Sequence, residues 1–248
     1  MSIARRFAKH LGVPAVAKKL LAKVSLELNE LGYSQEVSKR DSYIDPNAIR
    51  TQVYQAEAGV LHIGAHRGQE AEAYYKAGTK VLWVEAIEDI FRELLVNIEP
   101  FPNQRAMLAL LGDEEKTVEF HISSNDGESS SIHQFDQGHG PNIEMRSSRH
   151  LSMKRLDSLL SPEEAAFYAH WVVDVQGAEL TVLIGAGSLI DSCFSLDVEV
   201  STFNLYKGGT KFQDLDLFLR RKGFVPLWEP QEESHQNLLY VRVRNQLH

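Results

Sequence analysis

From residue 58 onward, short apolar runs alternate with helix-like stretches, and this alternation leaves few folds open to the chain. Gly59–Ile63, Lys80–Val84, Arg105–Leu110, Val118–Ile122, Trp171–Val175 and Phe194–Val200 read as strands. Gln69–Ala77, Glu88–Val96 and Ala178–Leu183 read as helices between them, and Phe212–Lys222 as a helix closed by Gly223. Phe224–Leu227 and Leu238–Val243 form an expected last strand pair. Strands separated by helices imply βαβ units, so the expected fold class is α/β, with a mainly parallel sheet covered on both faces. The polar segment 123–150, rich in Ser, Asn, Gly and His, reads as a long loop, the kind of segment that carries function in compact domains.

The first 57 residues do not join this pattern. Residues 1–24 hold six basic side chains and no acidic one, with apolar residues at helical spacing on either side of Gly12–Pro14. The expectation is an N-terminal helical extension over 1–57 and a second domain over 58–248. The basic helices are a candidate for packing on that domain, for peripheral contact with an anionic membrane, or for holding a homo-oligomer together. The whole chain is acidic, with a formal net charge of −8, which argues against a general nucleic-acid binder. A single cysteine, Cys193, excludes an intrachain disulfide, and no CxxC or HExxH pattern offers a zinc site, so no metal is expected. No apolar run is long enough to cross a membrane and no secretion signal is legible, so the expected location is the cytoplasm.

Three landmarks point to a cofactor. The run Leu61–Glu70 places Gly64 and Gly68 in a turn between a strand and a helix, where backbone can approach a ligand closely. His66 stands where a dinucleotide fingerprint would need its second glycine, which counts against NAD. Glu85 ends the second strand, 21 residues after Gly64, where an acid can accept hydrogen bonds from both hydroxyls of a ribose. Asp174 follows the apolar run Trp171–Val173, so it faces the ligand crevice of an open sheet or caps the next helix. A glycine turn with a ribose-binding acid and no pyrophosphate loop describes an adenosine site, and S-adenosyl-L-methionine fits it.

These pieces, VLHIGAHRGQEAEAYYKAG, VLWVEAIEDIFRELLVN, ALLGDEEKTVEF, SSNDGESSSI, RLDSLL, VVDVQGAELTVLIGAG and DVEVSTFNLYKGGTKFQDLDLFLRRKGF, resemble in type and order the FkbM family of methyltransferases over about residues 58–243. The resemblance implies a Rossmann-like class I methyltransferase fold, with a seven-stranded sheet whose last strand is reversed. It implies S-adenosylmethionine as cofactor and a hydroxyl acceptor on a sugar, glycan or other small metabolite. The implied cofactor contacts are Gly64, Ala65, His66, Gly68 and Glu70 in the first turn, Glu85 and Ala86 after the second strand, and Leu110, Ser130 and Asp174 farther on. His62 stands where the family usually has Asp, Val172 where it often has Lys, and Gln176 where it usually has Glu; an imidazole at 62 can still bond the methionine end of the cofactor.

A hydroxyl acceptor must lose its proton as it attacks, so a carboxylate or histidine is the natural base. Asp174 at the crevice, Glu199 near the end of Phe194–Val200, and His139 in the polar loop are the three candidates. Tyr206 is a candidate for orienting the acceptor, and Ser129–Ser131 for lining the cofactor. The other reading in view is a binding module that keeps the cofactor and no longer catalyses.

Overall fold

A computed structural model of the chain describes residues 59–136, 142–232 and 235–242. The expected N-terminal helices and His139 lie outside the described residues. The elements run, in order, β1 (Val60–Ile63), α1 (Ala71–Lys76), β2 (Val81–Glu85), α2 (Glu88–Ile98), β3 (Gln104–Leu108), β4 (Leu110–Leu111), β5 (Lys116–Ser123) and β6 (Met145–Lys154). They continue with α3 (Leu156–Leu159), α4 (Pro162–Ala165), β7 (His170–Val173), α5 (Glu179–Gly185), β8 (Ser195–Ser201), α6 (Phe212–Arg221), β9 (Phe224–Pro226) and β10 (His235–Arg242).

Seven strands form one sheet in the order β3-β2-β1-β7-β8-β10-β9. The first five are parallel to one another, and β10 runs against both its neighbours. This is the Rossmann-like class I methyltransferase arrangement with its reversed strand. Strand order reverses between β1 and β7, and in open α/β sheets a ligand crevice opens at the C-terminal ends of the strands at such a switch point. Gly64 and Asp174 are the first residues past those two ends, and the Asp174 N–H donates to the Ile63 carbonyl at 3.0 Å.

Burial on both faces explains why the central strands are continuously apolar. Leu61, Ile63, Leu82, Val84, Trp171, Val173, Leu196 and Val198 meet in the larger core cluster on one face. Val60, Val81 and Trp83 face the other way, onto Tyr74 of α1 and Leu94 and Ile98 of α2. Helix α2 buries Ile90, Leu94 and Ile98 at four-residue spacing and carries Glu88 and Asp89 in its first turn, where its dipole favours them. Helix α6 buries Leu215 and Leu219, and Gly223, at φ +83, follows its end as the sequence implied.

One part of the strand pattern differs from expectation. Val118–Ile122 lies in β5, outside the main sheet, in a second sheet ordered β4-β6-β5. Its partner β6 takes residues 145–150 out of the expected loop and pairs antiparallel with β5 from Lys116↔Met153 to Ser123↔Met145. The strand MRSSRHLSMK is mostly exposed, so the hydrophobic alternation that marks a half-buried strand is missing from it. The expected strand Arg105–Leu110 also divides: β3 stops at Leu108, and Leu110–Leu111 cross to pair with β6.

Candidate active site

The turn after β1 is built on Gly64. Its φ is +85, and a Cβ there would sit 1.6 Å from the Asp174 carbonyl oxygen, so only glycine lets β1 and β7 come together at this point. The N–H groups of Gly64 and Ala65 both donate to the Val84 carbonyl at 3.0 Å, which ties the turn to β2. The chain then passes through His66, at φ +46, whose N–H donates to Glu85 Oε2 at 2.8 Å. Glu85 Oε1 accepts from the N–H groups of Ala86 and Ile87 at 2.9 and 2.8 Å. The carboxylate is therefore fixed by three backbone donors. Burial pushes the pKa of Glu85 up, and these hydrogen bonds oppose that shift.

A cleft of about 600 Å³ opens beside this turn, between the C-terminal edge of the main sheet and the second sheet. Of the residues named from the sequence as cofactor contacts, Gly64, His66, Glu85, Ala86, Leu110, Ser130 and Asp174 line it. Ile87, Phe120 and Ile132 add an apolar lining, and Gly127 and Glu128 come from the loop after β5. The structure does not bring the other four to the cleft. Ala65 is buried at the turn, Gly68 makes room for Leu94, whose Cδ1 would lie 2.6 Å from a Cβ there, and Glu70 is exposed at the N-cap position of α1, with no capping hydrogen bond from its side chain. His62 packs its ring on Trp83 with centroids 4.6 Å apart, and its Nδ1 lies 3.2 Å from the Tyr74 hydroxyl. Alternation along β1 turns this side chain toward α1 and α2, and burial lowers its pKa to about 3, so the ring is neutral.

Asp174, which lines this cleft, comes together with Glu199, which does not. Gln176, held at φ +55, places its side-chain amide between them, and Nε2 donates to Asp174 Oδ1 at 2.6 Å and to Glu199 Oε2 at 2.7 Å. Both amide hydrogens are thus committed, and the amide oxygen accepts from the Tyr206 hydroxyl at 2.6 Å. The Gln176 carbonyl is clamped in turn by the Ser131 hydroxyl at 2.6 Å, while Tyr206 also donates toward the Ser129 carbonyl at 3.3 Å. Burial, and then the neighbouring Glu199 carboxyl, raise the pKa of Asp174 well above the carboxylate range. Burial and Glu199 also push the Tyr206 hydroxyl far up, so it serves as a donor and does not ionise.

Glu199 reaches a second cleft of about 800 Å³ on its far side. Tyr206, Glu179, Thr210, Lys211, Phe212 and the segment Ser201–Leu205 form its walls, together with His235. His235 Nε2 lies 2.7 Å from Glu199 Oε1, and that carboxyl raises the histidine pKa. Sequence reasoning missed both His235 and the bridging role of Gln176. The one signal for His235 was the reversed last strand: β10 begins where the parallel strands end, with His235 opposite Ser201, so its first residue must fall at the crevice. The strand read from the sequence began at Leu238 and stopped three residues short of it.

Residues 62–226 match the family model described as the methyltransferase FkbM domain. A comparison with curated proteins finds no match. Solved structures that the chain resembles include Sp1610 of Streptococcus pneumoniae in complex with S-adenosyl-L-methionine, at 10% identity and TM-score 0.44 over 81% of this chain and 75% of that one. They also include a TehB-like SAM-dependent methyltransferase of Corynebacterium glutamicum, at 11% identity and TM-score 0.41 over 91% and 98% of the two chains. Magnesium protoporphyrin IX methyltransferase of Synechocystis PCC 6803, with bound SAM, matches at 13% identity and TM-score 0.41 over 90% and 96%.

Proposed function

The chain belongs to the FkbM methyltransferase family, and on that premise we propose that it transfers the methyl group of S-adenosylmethionine to a hydroxyl of a sugar, glycan or similarly hydroxylated small molecule. The observation that carries this reading is the Asp174–Glu199 pair, which joins one cleft to another. A hydroxyl needs a base as it attacks, and a half-buried carboxylate between two clefts is a base placed where donor and acceptor would meet.

The first cleft fits the cofactor. Three backbone donors take three of the roughly four lone-pair sites of Glu85, which leaves one on Oε2 open toward the ribose, and Ile87, Leu110 and Phe120 would flank the adenine. Gly64 and Asp174 would hold the methionine end, at the switch point of the sheet. When bound, the cofactor supplies a methyl already activated on a sulfonium. The chain's own work is then to position and to accept a proton, and positioning alone can supply several kcal/mol, of the order of 7–11 in well-oriented systems.

The second cleft is the proposed acceptor site. Tyr206, Thr210 and Asn204 offer hydrogen bonds to a polyhydroxylated molecule, and Phe203 and Phe212 offer apolar faces. Glu199 would take the acceptor's proton as the acceptor oxygen takes up the methyl group. The proposal keeps the division of the chain into an extension over 1–57 and a methyltransferase domain over 58–248. No described helix is long and apolar enough to cross a membrane.

Incubation with labelled S-adenosylmethionine and a panel of hydroxylated acceptors tests the reading. The expected result is label on a hydroxyl, with the rate falling roughly 10²–10⁴-fold in Glu199→Gln. Label on amines alone, or a full rate in that variant, would contradict it.

A further inference from the structure

Two carboxyls that share one site cannot both be ionised without cost, so the pair holds a proton, and chemistry depends on which member carries it. Gln176 does not decide the matter, because its amide donates to both acids at almost the same distance, 2.6 and 2.7 Å. The asymmetry comes from the reversed strand. Glu199 has His235 at 2.7 Å on its other oxygen, and the imidazole is 36% exposed, so its charge is solvated while it pairs with a carboxyl that is 12% exposed. Asp174 has no cation of its own within ion-pair distance among the described residues and faces the first cleft.

We propose that His235 is the positioning residue that assigns this proton: paired with Glu199, it keeps that acid ionised toward the second cleft and leaves the shared proton on Asp174. The acceptor's base is then Glu199 and not Asp174. A neutral Asp174 also fits the burial that raises its pKa, and a charged His235 fits the upward shift that Glu199 gives it. The other charged or titratable groups around Glu199 do not supply the asymmetry. Glu179, on α5, is an acid pushed up to about 7 by burial, and its Oε1 is occupied by the Gly177 N–H at 2.8 Å. Tyr206 stays neutral, Asp197 lies two residues back on the same strand face, and Lys211 lines the second cleft without an ion pair to either acid among the described residues.

The inference rests on the acid pair of the proposed function, but its test needs neither acceptor nor cofactor. The measurement is the pH titration of the His235 ring by NMR in the full chain, assigned by the resonance missing from His235→Gln. Glu199→Gln removes a charge from the ring's partner, so the histidine pKa should fall by about one unit or more. Asp174→Asn exchanges one neutral group for another and should leave it almost unmoved. Carboxyl ¹³C shifts in the unsubstituted chain give the same answer without mutation: near pH 7, Asp174 reads as the acid and Glu199 as the carboxylate. In His235→Gln the proton should spread onto Glu199. Equal falls in the two amide variants, a larger fall in Asp174→Asn, or an ionised Asp174 would overturn the assignment. If the titrations come out as stated and no acceptor is ever methylated, the charge assignment stands and the methyl-transfer reading falls.

Discussion

Glu85 should fail in two ways at once when it is removed, and the two can be measured apart. In Glu85→Ala, the N–H groups of His66, Ala86 and Ile87 lose their acceptor together, and the turn that carries Gly64 loses one of its ties to β2, keeping the two bonds to the Val84 carbonyl. Hydrogen bonds to a charged acceptor contribute about 1.5–3 kcal/mol each. Two effects offset that sum. Water can enter from the open cleft to serve some of the donors, and burying the carboxylate already cost the folded state, as the upward pKa shift of Glu85 records. A net loss of about 1–3 kcal/mol in folding stability is expected, read by urea denaturation. The second loss is in cofactor affinity, roughly 10- to 100-fold, or about 1.4–2.8 kcal/mol, from the ribose hydroxyls left without their acceptor. Calorimetric titration with S-adenosylmethionine should be run where the variant is fully folded, so that the stability loss does not enter. Glu85→Gln keeps one oxygen and should fall between the two proteins in both measurements. Unchanged affinity in folded Glu85→Ala would place the ribose elsewhere and refute the reasoning.

Asp174→Asn should slow turnover far less than Glu199→Gln, because Asp174 is already neutral, and the double variant should be little slower than Glu199→Gln alone; single-turnover rates of all three check it. His62 is buried neutral with its pKa lowered to about 3 from 6.5, so its depressed folded value makes stability rise with pH through that window and fall as acid is added below about 6.5. Denaturation between pH 4 and 8 should show that acid limb, and His62→Gln should flatten it whatever the variant's absolute stability. Gly64→Ala puts a Cβ 1.6 Å from the Asp174 carbonyl oxygen at φ +85 and should lose folded yield or most of its stability, seen as a collapsed melting transition.

What the sequence made legible follows from the physics of parallel strands. The ends of apolar runs mark strand ends, and strand ends mark the crevice, so Gly64, Glu85 and Asp174 could be placed with no knowledge of the fold. Side-chain direction was not legible in the same way. His62 was expected at the cofactor because it stands where the family usually has Asp, and a strand buried on both faces has no alternation to show that β1 turns it onto Trp83. The second sheet escaped notice because β6 is polar and largely exposed. His235 and Gln176 gain their meaning only from contacts across distant segments. Gln176 reaches Glu199 and Tyr206 through a left-handed backbone that no motif announces, and His235 depends on where a reversed strand begins.

The arrangement of donor and acceptor is tested most directly by a crystal structure of the chain with S-adenosylhomocysteine bound. The account predicts the ribose hydroxyls on the Glu85 carboxylate, the adenine between Ile87 and Phe120, and the sulfur directed past Asp174 toward Glu199 and the second cleft. Adenosine seated in the second cleft against Tyr206 and His235, or a sulfur turned away from the acid pair, would contradict it.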